Sequence, residues 1–162
     1  MKIAIISDSH DHIEPLDKVL GYLKKNKIKI LIHCGDVSSI ETLNYILQHF
    51  CGTVYLSRGN ADNFYAKQND KNFYFFENVG RIVIDGKKIS FVHKITDIKH
   101  VEIKNSDIVF YGHDHKPWMK IADKTIIANP GNCAGIGYMS TFAVYDTTNN
   151  KIKLEIIDKL VK

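Results

Sequence analysis

The chain has 162 residues, 44% of them hydrophobic, which suits one domain spanning 1–162 with a real core and leaves little room for a second. Its formal charge of +4 comes from scattered lysines with no long run of like charges, so neither a nucleic-acid arm nor any other polyanionic partner is indicated. Cys34, Cys51 and Cys133 form no CxxC, which argues against a zinc ribbon or a disulfide framework, and the apolar "IAII" at the N-terminus is too short for a signal peptide or a membrane span; a cytoplasmic, reducing setting is expected.

The first half reads strand, helix, strand, helix, strand. "KIAIIS" (2–7) and "KILIHC" (29–34) are short apolar runs of the kind buried on both faces of a parallel sheet. Between them Leu16, Val19, Leu20 and Leu23 recur at helical spacing on one face. Ser38 with Glu41 three residues on predicts a capping box for a second helix, whose apolar stripe is Ile40, Leu43, Ile46, Leu47 and Phe50. "TVYLS" (53–57) is the third strand.

From about residue 73 the pattern changes to hairpins. "RIVID" and "KKISFVH" meet at Asp85-Gly86, "WMKIA" and "TIIAN" flank Asp123-Lys124, and "TFAVYD" and "KIKLEII" are separated by "TTNN". This last pair either closes a second sheet or extends the first. Tyr65 and Phe73 to Phe76 read as core or subunit interface, which leaves a homo-oligomer open, and a short helix carries Ile95, Ile98 and Val101. The stretch from Ala61 to Asn72 shows no clear pattern.

Polar side chains fall at the ends of these strands. Asp8 and His10 follow the first as Asp-x-His, a spacing that in extended chain places both on one side. Asp36 and Asn60 each follow a glycine after the second and third strands. His93 ends "KKISFVH", and His113 and His115 stand in "GHDH" after "DIVFY" (107–111). In an α/β sheet this rim is where ligands bind. Singly, each has a plain structural explanation: Asp36 and Asn60 suit turns, and His93 suits a satisfied strand end. His33, inside an apolar strand, reads as a buried imidazole that orients Asp36 from behind; Cys34 and Cys51 read as small core residues, and His12, His49 and His100 as solvent-facing. Turn chemistry does not readily produce seven metal-competent groups in this order at strand ends.

Seven such groups exceed the needs of one tetrahedral ion and suit two ions sharing a carboxylate, for which Asp36 is the candidate. Imidazole, carboxylate and amide without thiolate favour manganese, with nickel, iron, cobalt or zinc as alternatives, over magnesium. Paired cations about 3.5 to 4 Å apart activate water and clamp phosphoryl oxygens, so hydrolytic phosphoryl chemistry is expected.

Asp8-x-His10, Gly35-Asp36, Gly59-Asn60, His93 and Gly112-His113-x-His115 together resemble the ordered motifs of the calcineurin-like metallophosphoesterases. "SDSHD", "LIHCGD" and "NPGN" (129–132) resemble its small bacterial and archaeal phosphodiesterase branch. The resemblance spans nearly the whole chain and implies an α/β four-layer sandwich of two mixed β-sheets flanked by helices. It further implies that Asp8, His10, Asp36 and His115 hold one ion and Asp36, Asn60, His93 and His113 the other. Asp36, Asn60 and His93 would then act directly in hydrolysis of a small phosphodiester or nucleotide by a metal-bridging hydroxide.

The chain departs from the family in three places. Ala61 stands where many members carry a histidine that resembles a general acid, Lys94 replaces a usual glycine after His93, and Asp114 replaces a common threonine. Lys94 and His12 are the candidate substrate contacts, a solvated side chain being the alternative reading of Lys94. Two readings follow: an enzyme lacking the usual acid, or a non-catalytic scaffold for protein contact, as a related retromer subunit is thought to be. An intact ligand set favours the enzyme. Long nucleic acid is not expected as a partner, since no basic stripe with interleaved aromatics is visible, and no membrane contact is expected.

Overall fold

A computed structural model describes residues 1–66 and 71–160; part of the unpatterned stretch between Ala61 and Asn72 thus lies outside the described residues. The chain order is β1 (Lys2–Ile6), α1 (Ile13–Lys25), β2 (Ile30–His33), α2 (Ile40–His49), β3 (Thr53–Ser57), β4 (Phe73–Phe76), β5 (Gly80–Ile84), β6 (Lys87–Val92), a 3-10 turn (Ile95–Asp97), α3 (His100–Lys104), β7 (Ile108–Tyr111), β8 (Trp118–Ala122), β9 (Thr125–Asn129), β10 (Thr141–Asp146), β11 (Lys151–Ile156) and a closing 3-10 turn (Ile157–Lys159).

Two mixed sheets result, ordered β11-β10-β1-β2-β3-β4 and β5-β6-β7-β9-β8. In the first, β1 to β4 run parallel and β10 and β11 add antiparallel, so the final hairpin extends the first sheet. In the second, β6, β7 and β9 are parallel and each edge is an antiparallel hairpin. The hairpin pattern of the sequence therefore holds at both edges of this sheet and fails in its centre.

The period-two alternation of strand side chains sorts the core into layers. Ile3, Ile5, Ile32, Phe91, Ile108, Phe110 and Tyr145 fill the space between the sheets. Ala4, Ile6, Leu31, Leu56 and Val144 point the other way, onto the apolar faces of α1 and α2. Val92, Val109, Tyr111 and Ile127 meet Ile95, Ile98 and Ile103 on the outer side of the second sheet. The layers are thus helix, sheet, sheet, helix, and the strands that carry the candidate ligands end at a common rim.

Two local expectations are corrected. The cap of α2 is Ser39, whose hydroxyl accepts the Thr42 N–H, because Ser38 is at φ 83° with its own N–H committed to Asp62. Cys51, expected in the core, is exposed because it lies in the turn between α2 and β3, whereas Cys34 and Cys133 are buried; all three are free thiols. Phe73 to Phe76 form β4, paired in parallel with β3, with Phe73 in the core. No helix among the described residues is long and apolar enough to cross a membrane.

Candidate metal centre

The site is assembled from loops that leave the parallel strands. The segment after β1 runs along the segment after β2, with Asp8 N–H donating to the Gly35 carbonyl at 3.0 Å and His10 N–H to the Asp36 carbonyl at 3.1 Å. The chain here is not extended: Asp8, His10, Asp11, Asp36, Ser38, His113 and His115 all have φ between 42° and 83°. Left-handed backbone in non-glycine residues is costly and gathers at functional sites. It also explains why His113 and His115, two residues apart, serve different ligand sets instead of sharing a side as in extended chain.

Two sets of ligand atoms converge. Asp8, His10 and His115 form one, and Asp36, His93 and His113 the other. Asp36 Oδ2 lies 3.3 Å from His93 Nε2 and 3.7 Å from His10 Nε2, which puts its carboxylate between the two sets. Asn60 Oδ1 is 3.1 Å from His93 Nε2, so the amide joins the second set. All seven predicted ligands are therefore brought together.

The hydrogen bonding of the imidazoles shows which of their nitrogens face inward. His93 Nδ1 donates to the Cys34 carbonyl at 2.9 Å, and His115 Nδ1 to the Ile136 carbonyl at 3.2 Å. A carbonyl only accepts, so in the neutral ring each Nε2 carries a lone pair directed inward. His115 Nε2 faces His10 Nε2 at 3.3 Å and Asp8 Oδ1 at 3.4 Å, and His93 Nε2 faces the Asn60 oxygen. Asp8 Oδ1 is buried with no hydrogen-bond partner. Lone pairs facing lone pairs around an orphaned carboxylate oxygen are unfavourable unless a proton or a metal cation stands among them. The mixed nitrogen and oxygen donors fit a divalent transition ion.

Protonation follows the same layout. Burial pushes the Asp8 carboxyl up, against the opposing hydrogen bond with Ser7 and the neighbouring imidazoles. For Asp36 burial acts upward too, but the hydrogen bonds from His93 and the Ala61 N–H prevail and hold it below the usual range. Burial pulls His93 down, yet its bond to Asp36 prevails and raises it.

Several supporting residues carry no signature in the sequence. Asp62, 4% exposed, accepts N–H bonds from Gly59 (2.7 Å), Ser38 (2.8 Å) and Asp36 (3.2 Å), tying the Asp36 loop to the Asn60 loop. These loops approach so closely that a Cβ on Gly59 would overlap the Asp36 amide and carboxylate. Asp11 accepts from the Ser39 amide and hydroxyl and from the Thr42 hydroxyl, anchoring the β1 exit to α2. In "NPGN", Asn129 donates to the Gly112 carbonyl and Asn132 to that of His115, so both asparagines hold the histidine loop.

The remaining candidates sit outside the ligand cluster. His33 is buried, pushed down to about 4 by burial, and bonds Ser9 Oγ and the Gly35 N–H; it meets the backbone before Asp36 and not the carboxylate. His12 is exposed and donates from Nδ1 to the His10 carbonyl. Lys94, half-buried, follows His93 and precedes the 3-10 turn.

Known proteins share this fold. Phosphodiesterase MJ0936 of Methanocaldococcus jannaschii is 25% identical, with 98% of this chain and 100% of that protein covered. A solved archaeal phosphodiesterase superposes with a TM-score of 0.85 at 24% identity, covering 96% of this chain and 99% of that one. Vps29 of Entamoeba histolytica, solved with zinc, gives 0.69 at 18% identity, covering 96% and 97%. The calcineurin-like phosphoesterase superfamily domain matches residues 1–150, and the chain belongs to that family.

Proposed function

We propose that the protein is a two-metal phosphodiesterase acting on small phosphodiesters or nucleotides. The observation that carries this reading is the position of Asp36, whose carboxylate lies between two sets of inward-facing lone pairs. Asp8, His10, Asp36 and His115 would hold one divalent ion, and Asp36, Asn60, His93 and His113 the other, with manganese the first candidate. Such a pair supplies positive charge that acidifies water and stabilises developing charge on phosphoryl oxygens.

The protein's own residues set geometry and proton inventory. Asp62 and Asp11 fix the loops, and the carbonyls of Cys34 and Ile136 fix the tautomers of His93 and His115. No side-chain acid stands beside Asn60: Ala61 has none, and the Asp62 oxygens are taken up by three N–H bonds. The departing oxygen leaves without a positioned proton donor from this loop, which favours esters of acidic alcohols. Lys94 and His12 flank the ligands and are assigned to substrate contact. Free thiols throughout agree with a cytoplasmic setting.

The Vps29 likeness motivates the scaffold reading, in which the fold serves protein contact alone. Retention of a convergent seven-ligand set argues against it. Metal analysis of the purified protein, with a hydrolysis screen of mono- and diesters with and without added manganese, separates the two. Bound metal with metal-dependent diester hydrolysis supports the enzyme; a stable hetero-complex without hydrolysis under any metal supports the scaffold.

A further inference from the structure

The core between the two sheets is not sealed along one edge. There β8 and β11 are the terminal strands of their sheets, each paired on one side only. Met119 and Ile121 pair with Ala128 and Ile126, and Leu154 and Ile152 with Ala143 and Tyr145, all four partners belonging to the inter-sheet core. These edge side chains therefore point inward, yet Met119 is 56%, Ile121 70% and Leu154 44% exposed. Met119, Leu154 and Ile152, with Trp118, line an apolar cleft of about 210 Å³, and Ile121 lies further along the same face of β8. At the alternate position, Lys120 holds its ammonium 5.3 Å from the Trp118 indole centroid.

The charges along β8 and its flanks are mostly basic: residues 116–124 carry Lys116, Lys120 and Lys124 against one acid, Asp123, which pairs with Lys104. On β11, Glu155 is matched to Lys153 and Tyr22. Among the described residues, no carboxylate lies within 4 Å of Lys116, Lys120, Lys124 or Lys151. Lysines on an edge strand oppose its pairing with a second copy of the same chain, because like charges would meet. The same lysines attract an acidic strand.

We propose that this edge is a docking site for an extended segment of a partner protein that alternates apolar and acidic residues. Such a segment would pair with the free backbone edge of β8. Its period of two would direct apolar side chains into the cleft beside Met119 and Leu154 and onto Ile121, and acidic ones to the face of Lys120. The proposal is independent of phosphodiester hydrolysis and stands or falls separately from it.

Trp118 is the only tryptophan in the chain, so its fluorescence reports this edge. The test is a titration with a capped peptide of about nine residues alternating valine and glutamate, long enough to span the strand. A valine–lysine peptide, phosphatidylglycerol vesicles and a dilution series of the protein alone are run in parallel. We expect a saturable blue shift with the acidic peptide only, weakened at least about fivefold by raising salt from 50 to 500 mM. The shift should be lost in Ile121→Asp, and the charge preference should invert in Lys120→Glu; both positions are exposed and neither belongs to the ligand cluster. No saturation with the acidic peptide, an equal response to the basic one, an equal response to vesicles, or burial of Trp118 by self-association would each overturn the assignment.

Discussion

Removing the Asp62 carboxylate tests how the two ligand loops are held. Asp62→Ala leaves the N–H groups of Asp36, Ser38 and Gly59 without their acceptor, two of them in buried bonds and that of Ser38 in a partly buried one. An orphaned buried donor costs about 1–3 kcal/mol. With partial rehydration at Ser38 the total is about 3–6 kcal/mol, a large share of the roughly 5–15 kcal/mol that stabilises a typical domain. The melting temperature should fall on the order of 10 °C. Asp62→Asn keeps one acceptor oxygen and should lose roughly half as much. Urea unfolding in chelator, followed by circular dichroism, isolates this effect from metal binding. Metal titration should then show the ion held by Asn60 and His93 weakened more than the one held by His10 and His115. A loss below about 1 kcal/mol in Asp62→Ala would show that these bonds do not hold the loops together.

Asp36→Asn should weaken both metal equivalents and cost more activity than any other single ligand change, whereas Asn60→Ala should empty mainly one; metal titration by calorimetry distinguishes them, and two tight equivalents in Asp36→Asn would contradict the bridge. Ala61→His should accelerate cleavage of esters with poor leaving groups selectively, by up to the 10² to 10⁴ that a positioned acid typically supplies, read from log kcat/KM against leaving-group pKa. A shallow slope in the unmodified protein would show that another residue already serves as the acid. His33, lowered from 6.5 to about 4 in the folded protein, contributes stability that is complete above pH 6.5 and is lost as pH falls through 4. Denaturant titrations of metal-free protein between pH 4 and 7 should show that loss, and His33→Gln should flatten it.

The sequence exposes what is periodic or chemically unusual. Five strand ends bearing Asp, Asn and His were legible because ligand-type groups stood out against apolar runs, and the Asp85-Gly86 turn announced its hairpin at once. The β4 run "FYFF" has no alternation and only its first residue is buried, so nothing in it signalled a strand paired with β3. The parallel centre of the second sheet was obscured because hairpins at both edges dominate the local pattern. Ser38 looked like a cap because spacing cannot reveal that its N–H is drawn to a carboxylate 24 residues away. Asp62, Asp11 and Asn132 were unassigned for the same reason: a side chain that binds backbone across loops leaves no period. The left-handed turns at Asp8, His10, Asp36, His113 and His115 were equally silent, since only glycine advertises positive φ.

The central claim is that two ions share Asp36, and the most direct measurement is metal content against activity on one sample. Metal-free protein is titrated with manganese, bound metal is counted per chain, and hydrolysis of an aryl phosphodiester is followed at each step. The account predicts two equivalents per chain, no turnover in chelator, and activity that rises with the second equivalent. Saturation at one equivalent, or undiminished turnover without metal, would contradict it.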